Sequence, residues 1–455
     1  MLLTLTFVVE QAMNTHPPIL KTIVIAGGGF AGTTLARALE GGVPAGCQVV
    51  LVSEESYTTF NPMLAEVVGA AVFPEHVIAP IREMVPRTRF IMGRLQRVDS
   101  AGQVLVCSTL AGPLEIAFDH LVLAFGQRAN LKIIPGLAEH ALPLKLVGDA
   151  MHIRNRLLQR LAHIELIKDE AQRRSLGHFV VIGGGFSGVE VAGAVADFIR
   201  SAHRHYRRVK ADELRVTLLH DMDRLLPELP KRLGEAAARS LRQRGVDVRL
   251  GARAVNVDAH GVDLVDGARL AADTVVCTIG ARSNPLVDQL AMTTLRGRIV
   301  TEPDGQVAGR PGLWALGDCA ATVNAADGQT SPPTAQFAVA QATQMARNFV
   351  AHIEGRATRA FQHRSKGMMA TTGHHKGVAQ LLGVPLTGLS AWLVWRAYYL
   401  MRMPTLGRKV RIWVEWTWSL FFPVDITHLR FTRTADVDAP FAEQAPAIPV
   451  HHPQP

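Results

Sequence analysis

From about residue 21 to residue 320 the chain alternates between short, wholly apolar runs and longer stretches with apolar positions at three- and four-residue spacing. The runs include TIVIA at 22–26, VVLVS at 49–53, HLVLAFG at 120–126 and FVVI at 179–182. LRVTLLHD at 214–221, VVCTIG at 275–280 and LWALGDCA at 313–320 continue the series. Runs with no polar alternation predict strands buried on both faces, and the helical stretches between them predict crossovers, so the expected class is α/β with parallel sheets. Helical spacing dominates 146–175 and returns in PPTAQFAVAQATQMARNFVAHIEG at 332–355. The polar, basic insert RSAHRHYRRVKADE at 200–213 predicts a solvated helix extension and loop ahead of the strand at 214–221.

Two of these strands run into almost the same glycine-rich turn, TIVIAGGGFAGTTLARAL at 22–39 and FVVIGGGFSGVEVAGAVADF at 179–198. The glycine frames are Gly27/Gly29/Gly32 and Gly183/Gly185/Gly188. In such a frame the first glycine permits a tight turn and the second lets the backbone approach a pyrophosphate. The third lets helix and strand pack closely, and the helix N-terminus supplies N–H groups and dipole. One match is weak; two, each between an apolar strand and an alanine-rich helix, predict two bound dinucleotides. An acid after the next strand then meets a ribose hydroxyl: Glu54 in the first unit, Asp221 in the second. His220 and Arg224 nearby leave a 2′-phosphorylated nucleotide open.

The pairing with most chemical use is a resident FAD with a visiting NADH or NADPH, because stacked rings pass hydride directly and need no protein nucleophile or metal. The expected architecture is two Rossmann-like dinucleotide-binding domains, the second inserted in the first, followed by a C-terminal amphipathic helical region that associates with membrane. The boundaries read as a flexible leader (1–19), an FAD-binding domain in two parts (20–145 and 281–365), an NAD(P)H-binding domain (146–280), the membrane-association region (366–432) and a Pro/Ala/Asp-rich disordered tail (433–455). The opening MLLTLTFVVE lacks the charged start and cleavage site of a signal peptide, and Met13 is an alternative start.

Composition changes this picture little. With 455 residues, 48% hydrophobic content and 39 glycines, the chain suits a glycine-rich α/β protein of two or three domains. Its four cysteines, Cys47, Cys107, Cys277 and Cys319, are far apart, which favours a reducing compartment and predicts no metal site. The net charge of +9 points to an anionic ligand or lipid face rather than nucleic acid, since no basic, aromatic-interleaved nucleic-acid stretch is present. No uncharged apolar run of 18 residues exists, so no transmembrane helix is expected.

The aromatic segment GLSAWLVWRAYYLMRMPTLGRKVRIWVEWTWSLFF at 388–422 holds five of the six tryptophans. Pro404 and Gly407 divide it into two helices, with Trp392, Trp395, Tyr399 and Met403 on one stripe and Val410, Trp413, Thr417 and Leu420 on another. Interleaved arginines (Arg396, Arg402, Arg408, Arg411) and Lys409 fit helices lying among lipid headgroups, each basic group adding about 1 kcal/mol on an anionic surface.

GDCA at 317–320 resembles the C-terminal flavin motif of the two-dinucleotide flavoproteins, which implies that Asp318 contacts the FAD ribityl and phosphate region. More narrowly, YTTFNPMLAEVVGA at 57–70, GGGFSGVE at 183–190, PPTAQFAVAQ at 332–341 and MMATTGHHKGVAQLLGVPLTGLSAWLVW at 368–395 resemble type II NADH dehydrogenases, the single-chain NADH:quinone oxidoreductases. The resemblance, over about 20–432, implies oxidation of NADH by a tightly held, non-covalent FAD and reduction of a membrane quinone without proton pumping. It also implies a peripheral place on the cytoplasmic face of a plasma membrane of bacterial type, and allows a homodimer. Glu190 matches the family's proton-handling acid. Gln336, with Ala335 and Ala338, matches the quinone-site motif AQxAxQ, but Ala340 stands at the second glutamine position and Gln341 follows. Phe125 stands where relatives carry threonine, and Ser53 where they carry the ribose acid, which here falls at Glu54. A sulfide:quinone oxidoreductase, needing redox cysteines, a ferredoxin-type reductase, and a flavin-containing sensor or scaffold are the alternatives.

Overall fold

The computed structural model describes residues 21–429; the expected leader and the whole of the expected tail lie outside them. β1 (Lys21–Ala26) enters the first glycine turn and α1 (Phe30–Glu40), and β2 (Cys47–Ser53) follows. After the short helix α2 (Leu64–Val68) come β3 (Arg89–Asp99), β4 (Val104–Thr109), β5 (Gly112–Ala117) and β6 (His120–Leu123). The second unit contains β7 (Ala141–Pro143), α3 (Val147–Leu166), β8 (His178–Ile182), α4 (Phe186–Ala202), β9 (Arg215–Leu219), α5 (Lys231–Gln243) and β10 (Val246–Arg249). A small antiparallel sheet, β11–β13 (residues 254–271), precedes β14 (Thr274–Cys277). β15 (Leu313–Ala315) and α6 (Ala335–Ile353) lead to an antiparallel sheet of β16 (Gly367–Thr371), β17 (Gly377–Leu381) and β18 (Val384–Gly388), then to α7 (Leu389–Arg402) and α8 (Leu406–Trp418).

The first sheet has the order β15-β6-β1-β2-β3-β4-β5 and the second β7-β14-β8-β9-β10. All five strands of the second sheet are parallel, as are β15, β6, β1, β2 and β3 of the first. The chain leaves the first sheet after β6 and returns to it at β15, so the second unit is inserted in the first, as the alternation of runs predicts. In each sheet the strand entering the glycine turn is central, flanked on both sides by parallel neighbours. That is the switch point where an α/β sheet opens a crevice for ligand.

α1 and α6 cover one face of the first sheet around Leu35, Leu39, Trp314 and Phe349. The largest core runs without a break from α2 through α3, α4 and α5 into β16, β17, α7 and α8. Gly193 in α4 permits part of this, since a Cβ there would come within 2.5 Å of the Thr372 backbone. The residues after α8 run back over α3: Arg154 donates to Asp425 at 3.2 Å, and Asn155 Nδ2 to the Leu429 carbonyl at 2.9 Å.

Two features depart from the sequence reading. Residues 367–388, expected as part of a helical region, form the three-stranded sheet. The stripe Trp392/Trp395/Tyr399/Met403 faces the core rather than lipid, with Trp392, Trp395 and Met403 buried. The second stripe is open to solvent, with Trp413 58% and Leu420 47% exposed, while Ile412 and Trp416 hold α8 to the core. A helix apolar on most of its faces gives no periodic signal for which face turns inward.

Candidate active site

Each glycine turn is built by the same three contacts. Gly27 and Gly183 take φ of +126° and +118°, a region open to glycine alone at low cost. A Cβ on Gly32 or Gly188 would overlap the carbonyl oxygen of Gly27 or Gly183, so each helix rests directly on its strand. A Cβ on Gly29 or Gly185 would meet nothing within 4 Å. Those middle glycines cap α1 and its counterpart in the second unit, α4, with no side-chain cap and no acid in the first turn. Open space, bare N–H groups and the positive end of a helix dipole fit a pyrophosphate at both turns.

The turns differ beneath that shared plan. In the second, Thr278 Oγ1 donates to the Ile182 carbonyl at 2.9 Å, and Gly184 N–H donates to His220 Nδ1 at 3.2 Å. His220 is therefore neutral, with its proton on Nε2, and burial pushes its pKa down. Asp221 beside it, at the strand end, stays exposed, its side chain 63% accessible. Arg224 donates to the Pro227 carbonyl at 3.0 Å. In the first turn Ala124 stands where Thr278 stands in the second, and Phe125, the counterpart of Ile279, packs against the core beneath the first sheet. Thr58 Oγ1 donates instead to the Gly28 carbonyl at 2.6 Å. Glu54, just past β2, is paired with Arg128 at 2.7 Å and Arg94 at 3.3 Å.

Asp318 lies where α1, α6 and the 317–319 turn converge: a Cβ on Gly317 would sit 3.0 Å from Ala31 and 3.6 Å from Ala338. Its carboxylate accepts no hydrogen bond among the described residues. Burial raises its pKa, against the pull of Lys145 and Arg298. Gln341 is buried, and its Oε1 accepts from Gly317 N at 2.7 Å. That bond makes Gln341 the residue that fixes the Asp318 turn. Gln336 is half-buried one turn earlier, its Oε1 accepting from Lys366 N at 3.3 Å.

Glu190 sits on the second turn of α4, 8% exposed. Its Oε1 accepts from Thr371 N at 3.2 Å and from Trp395 Nε1 at 3.1 Å. Burial drives its pKa up to about 8, against those two bonds, and Glu66 adds repulsion. A row of ring contacts, Phe30–Phe60 at 5.5 Å, Phe60–Tyr399 at 5.9 Å and Tyr399–Trp395 at 4.7 Å, links the start of α1 to this carboxylate. Glu190 thus stands between the two dinucleotide turns and the C-terminal helices.

Sequence reasoning missed Glu66, whose Oε2 accepts from Trp416 Nε1 at 3.2 Å. It also set Arg396 among lipid headgroups, whereas the side chain is buried on the ring faces of Trp392 (3.8 Å) and Trp416 (4.7 Å). The available signal was that Glu66 is the sole charge between residues 57 and 74. All four cysteines are unpaired, and Cys319, behind Asp318, has its thiol pKa pushed up to about 12 by burial. No group of three or more metal-ligating side chains occurs among the described residues.

A family model described as pyridine nucleotide-disulphide oxidoreductase matches residues 21–342. Over 432 residues the chain is 29% identical to the type II NADH:quinone oxidoreductase Ndh of Mycobacterium tuberculosis, covering 91% of this chain and 90% of that protein. It is 29% identical to the mitochondrial internal alternative NAD(P)H-ubiquinone oxidoreductase A1 of Solanum tuberosum, over 93% of both. The fold is similar to the structure of NDH2 from Plasmodium falciparum in complex with NADH, with a TM-score of 0.83 at 17% identity over 90% of this chain and 99% of that one.

Proposed function

Because the chain belongs to the pyridine nucleotide-disulphide oxidoreductase family, we propose that it oxidises NADH through a tightly held, non-covalent FAD and reduces a quinone drawn from lipid. The observation that carries this reading is Glu190, a buried carboxyl held between the second dinucleotide turn and the aromatic C-terminal helices. The relatives named for NADH:quinone and NAD(P)H-ubiquinone oxidation span nearly the whole chain, which supports the same reaction here.

A flavin bound here would supply the two-electron chemistry between nicotinamide and quinone. The chain supplies position and protons. The bare N–H groups of α1 hold the FAD pyrophosphate and those of α4 the NADH pyrophosphate, with Glu54 and Asp221 at the ribose ends. Asp318, fixed through Gln341 and Gly317, meets the ribityl and phosphate chain. Glu190 keeps a proton to about pH 8, and since Oε1 accepts both hydrogen bonds, that proton rides on Oε2. From there it passes to an oxygen of the quinone. Gln336, at the start of α6, borders the quinone end.

The membrane-facing surface is α8 and the turn after it. Trp413, Trp418 and Phe421 are 58%, 59% and 77% exposed, with Arg408, Lys409 and Arg411 beside them. No helix among the described residues is long and apolar enough to cross a bilayer. Shallow insertion of α8 brings a lipid-dissolved quinone to the lobe that holds Glu190, and four unpaired thiols suit the cytoplasmic face. Changing Trp413, Trp418 and Phe421 to serine is expected to weaken binding to anionic vesicles roughly 100-fold or more. Flavin content should be unchanged. Deleting the whole segment tests less, because Trp395 and Trp416 leave with it. Retained vesicle binding by the triple variant refutes the surface.

The activity itself is checked in steady state with a soluble quinone and, in turn, NADH and sulfide as reductant. NADH-driven quinone reduction is expected, and sulfide is expected to give none. Reduction by sulfide alone would transfer the fold to the sulfide chemistry.

A further inference from the structure

Glu66 and Glu190 come from distant stretches of sequence yet share one junction. α2 packs on α4 with Gly69 against Ala194, where a Cβ on the glycine would lie 3.3 Å from the alanine Cβ. One side of the junction is closed by two buried indoles, Trp395 of α7 and Trp416 of α8, with ring centroids 6.1 Å apart. Each donates its Nε1–H to a different carboxylate: Trp395 to Glu190 Oε1 at 3.1 Å, Trp416 to Glu66 Oε2 at 3.2 Å. The second oxygen of each acid accepts no hydrogen bond among the described residues. Two acids bridged by touching indoles in an apolar core make a site in which full ionisation of both is costly.

We propose that Glu66 and Glu190 form one coupled carboxylate pair, in which Glu66 is the positioning residue that keeps the shared proton on Glu190. This rests on the proton-holding reading of Glu190 above. The charges around the pair assign the proton. Burial raises the pKa of Glu66 as it does that of Glu190, but Arg396, clamped on the faces of Trp392 and Trp416, pulls Glu66 back toward its ionised form. No cation acts on Glu190 in the same way; its stabilising partners are two neutral N–H groups.

The other titratable groups around the junction are already accounted for. Asp197 of α4 is paired with Arg244. Glu415 of α8 meets His76 at 2.9 Å. Tyr399 of α7 has its phenol pKa raised by burial and by Glu190, so it stays neutral. His374, in the turn after β16, is held neutral with a pKa of about 4. On α3, which also packs on α2, the buried Arg154 is held by Asp425. The asymmetry therefore comes from Arg396: Glu66 carries the charge and Glu190 the proton.

Two readouts test this on the flavin-loaded full chain. One is the infrared carbonyl band of the protonated Glu190 carboxyl, assigned by its disappearance in Glu190→Gln and followed against pH. The other is the alkaline limb of kcat. Glu66→Gln removes the repelling charge and is expected to move both midpoints down by about one pH unit, a tenfold loss of proton affinity. Trp416→Phe, which touches Glu66 and not Glu190, is expected to move them the same way, because an unbonded Glu66 takes up the proton more readily. Trp395→Phe removes a bond to the Glu190 carboxylate and is expected to move them up. Glu66→Asp should restore the parent midpoint. Midpoints unmoved in both Glu66→Gln and Trp416→Phe overturn the pairing. An infrared band that shifts as expected while kcat ignores Glu190→Gln keeps the pairing and removes Glu190 from turnover instead.

Discussion

Glu190→Gln is expected to fold, to retain its flavin and to lower NADH:quinone turnover by roughly 100- to 10,000-fold, the range for loss of a positioned proton donor. Glutamine has nearly the same shape and its carbonyl can still accept from Thr371 N and Trp395 Nε1, so the junction survives while the transferable proton does not. The fold gives an independent check with a defined sign. A free glutamate titrates near pH 4.3, whereas Glu190 in the fold keeps its proton to about 8. Between those values the folded state binds more protons than the unfolded one, so this residue's contribution to stability declines as pH rises. The glutamine variant lacks that decline. Relative to the parent it should melt higher at pH 8 than it does at pH 5. Parent-like turnover, with the melting difference present, would remove Glu190 from the reaction while leaving its burial intact.

Valine at the two middle glycines is expected to separate the dinucleotides. Neither Gly29 nor Gly185 has protein within 4 Å of where a Cβ would lie, so the added bulk meets only what occupies the turn. Gly29→Val should be purified largely without flavin, its affinity lowered 100-fold or more, about 3 kcal/mol. Gly185→Val should keep its flavin and raise the KM for NADH at least tenfold. Gly32→Ala behaves differently, because its Cβ would overlap the Gly27 carbonyl and the cost falls on the fold itself. The measurements are flavin content after gel filtration and NADH titration of initial rates. Normal flavin content in Gly29→Val would place the flavin elsewhere.

What the sequence conveyed was set by short-range pattern. The glycine frames follow from backbone sterics within a few residues, and Gly27, Gly32, Gly183 and Gly188 meet the neighbours their spacing requires. The inserted unit was legible because parallel strands buried on both faces leave unbroken apolar runs. β3–β5 were not, since RFIMGRLQRVD mixes charge and apolar groups on a half-exposed ribbon. The destinations of side chains were hidden wherever the partner lay far along the chain. Nothing near Gln341 in sequence announces that it will bind Gly317, and Trp395 reaches Glu190 across 205 residues. Arg396 looked like a headgroup contact because arginine beside tryptophan is common at lipid surfaces; in the fold the same pair is a buried stack.

The central claim is that a flavin held at the first turn takes electrons from NADH at the second and gives them to quinone. Anaerobic mixing of the purified, flavin-loaded protein with one equivalent of NADH, followed by a soluble quinone, tests it directly. The account predicts rapid bleaching of the flavin absorbance by NADH and full recovery on quinone addition. A flavin that stays oxidised with NADH, or stays bleached when quinone arrives, would contradict it.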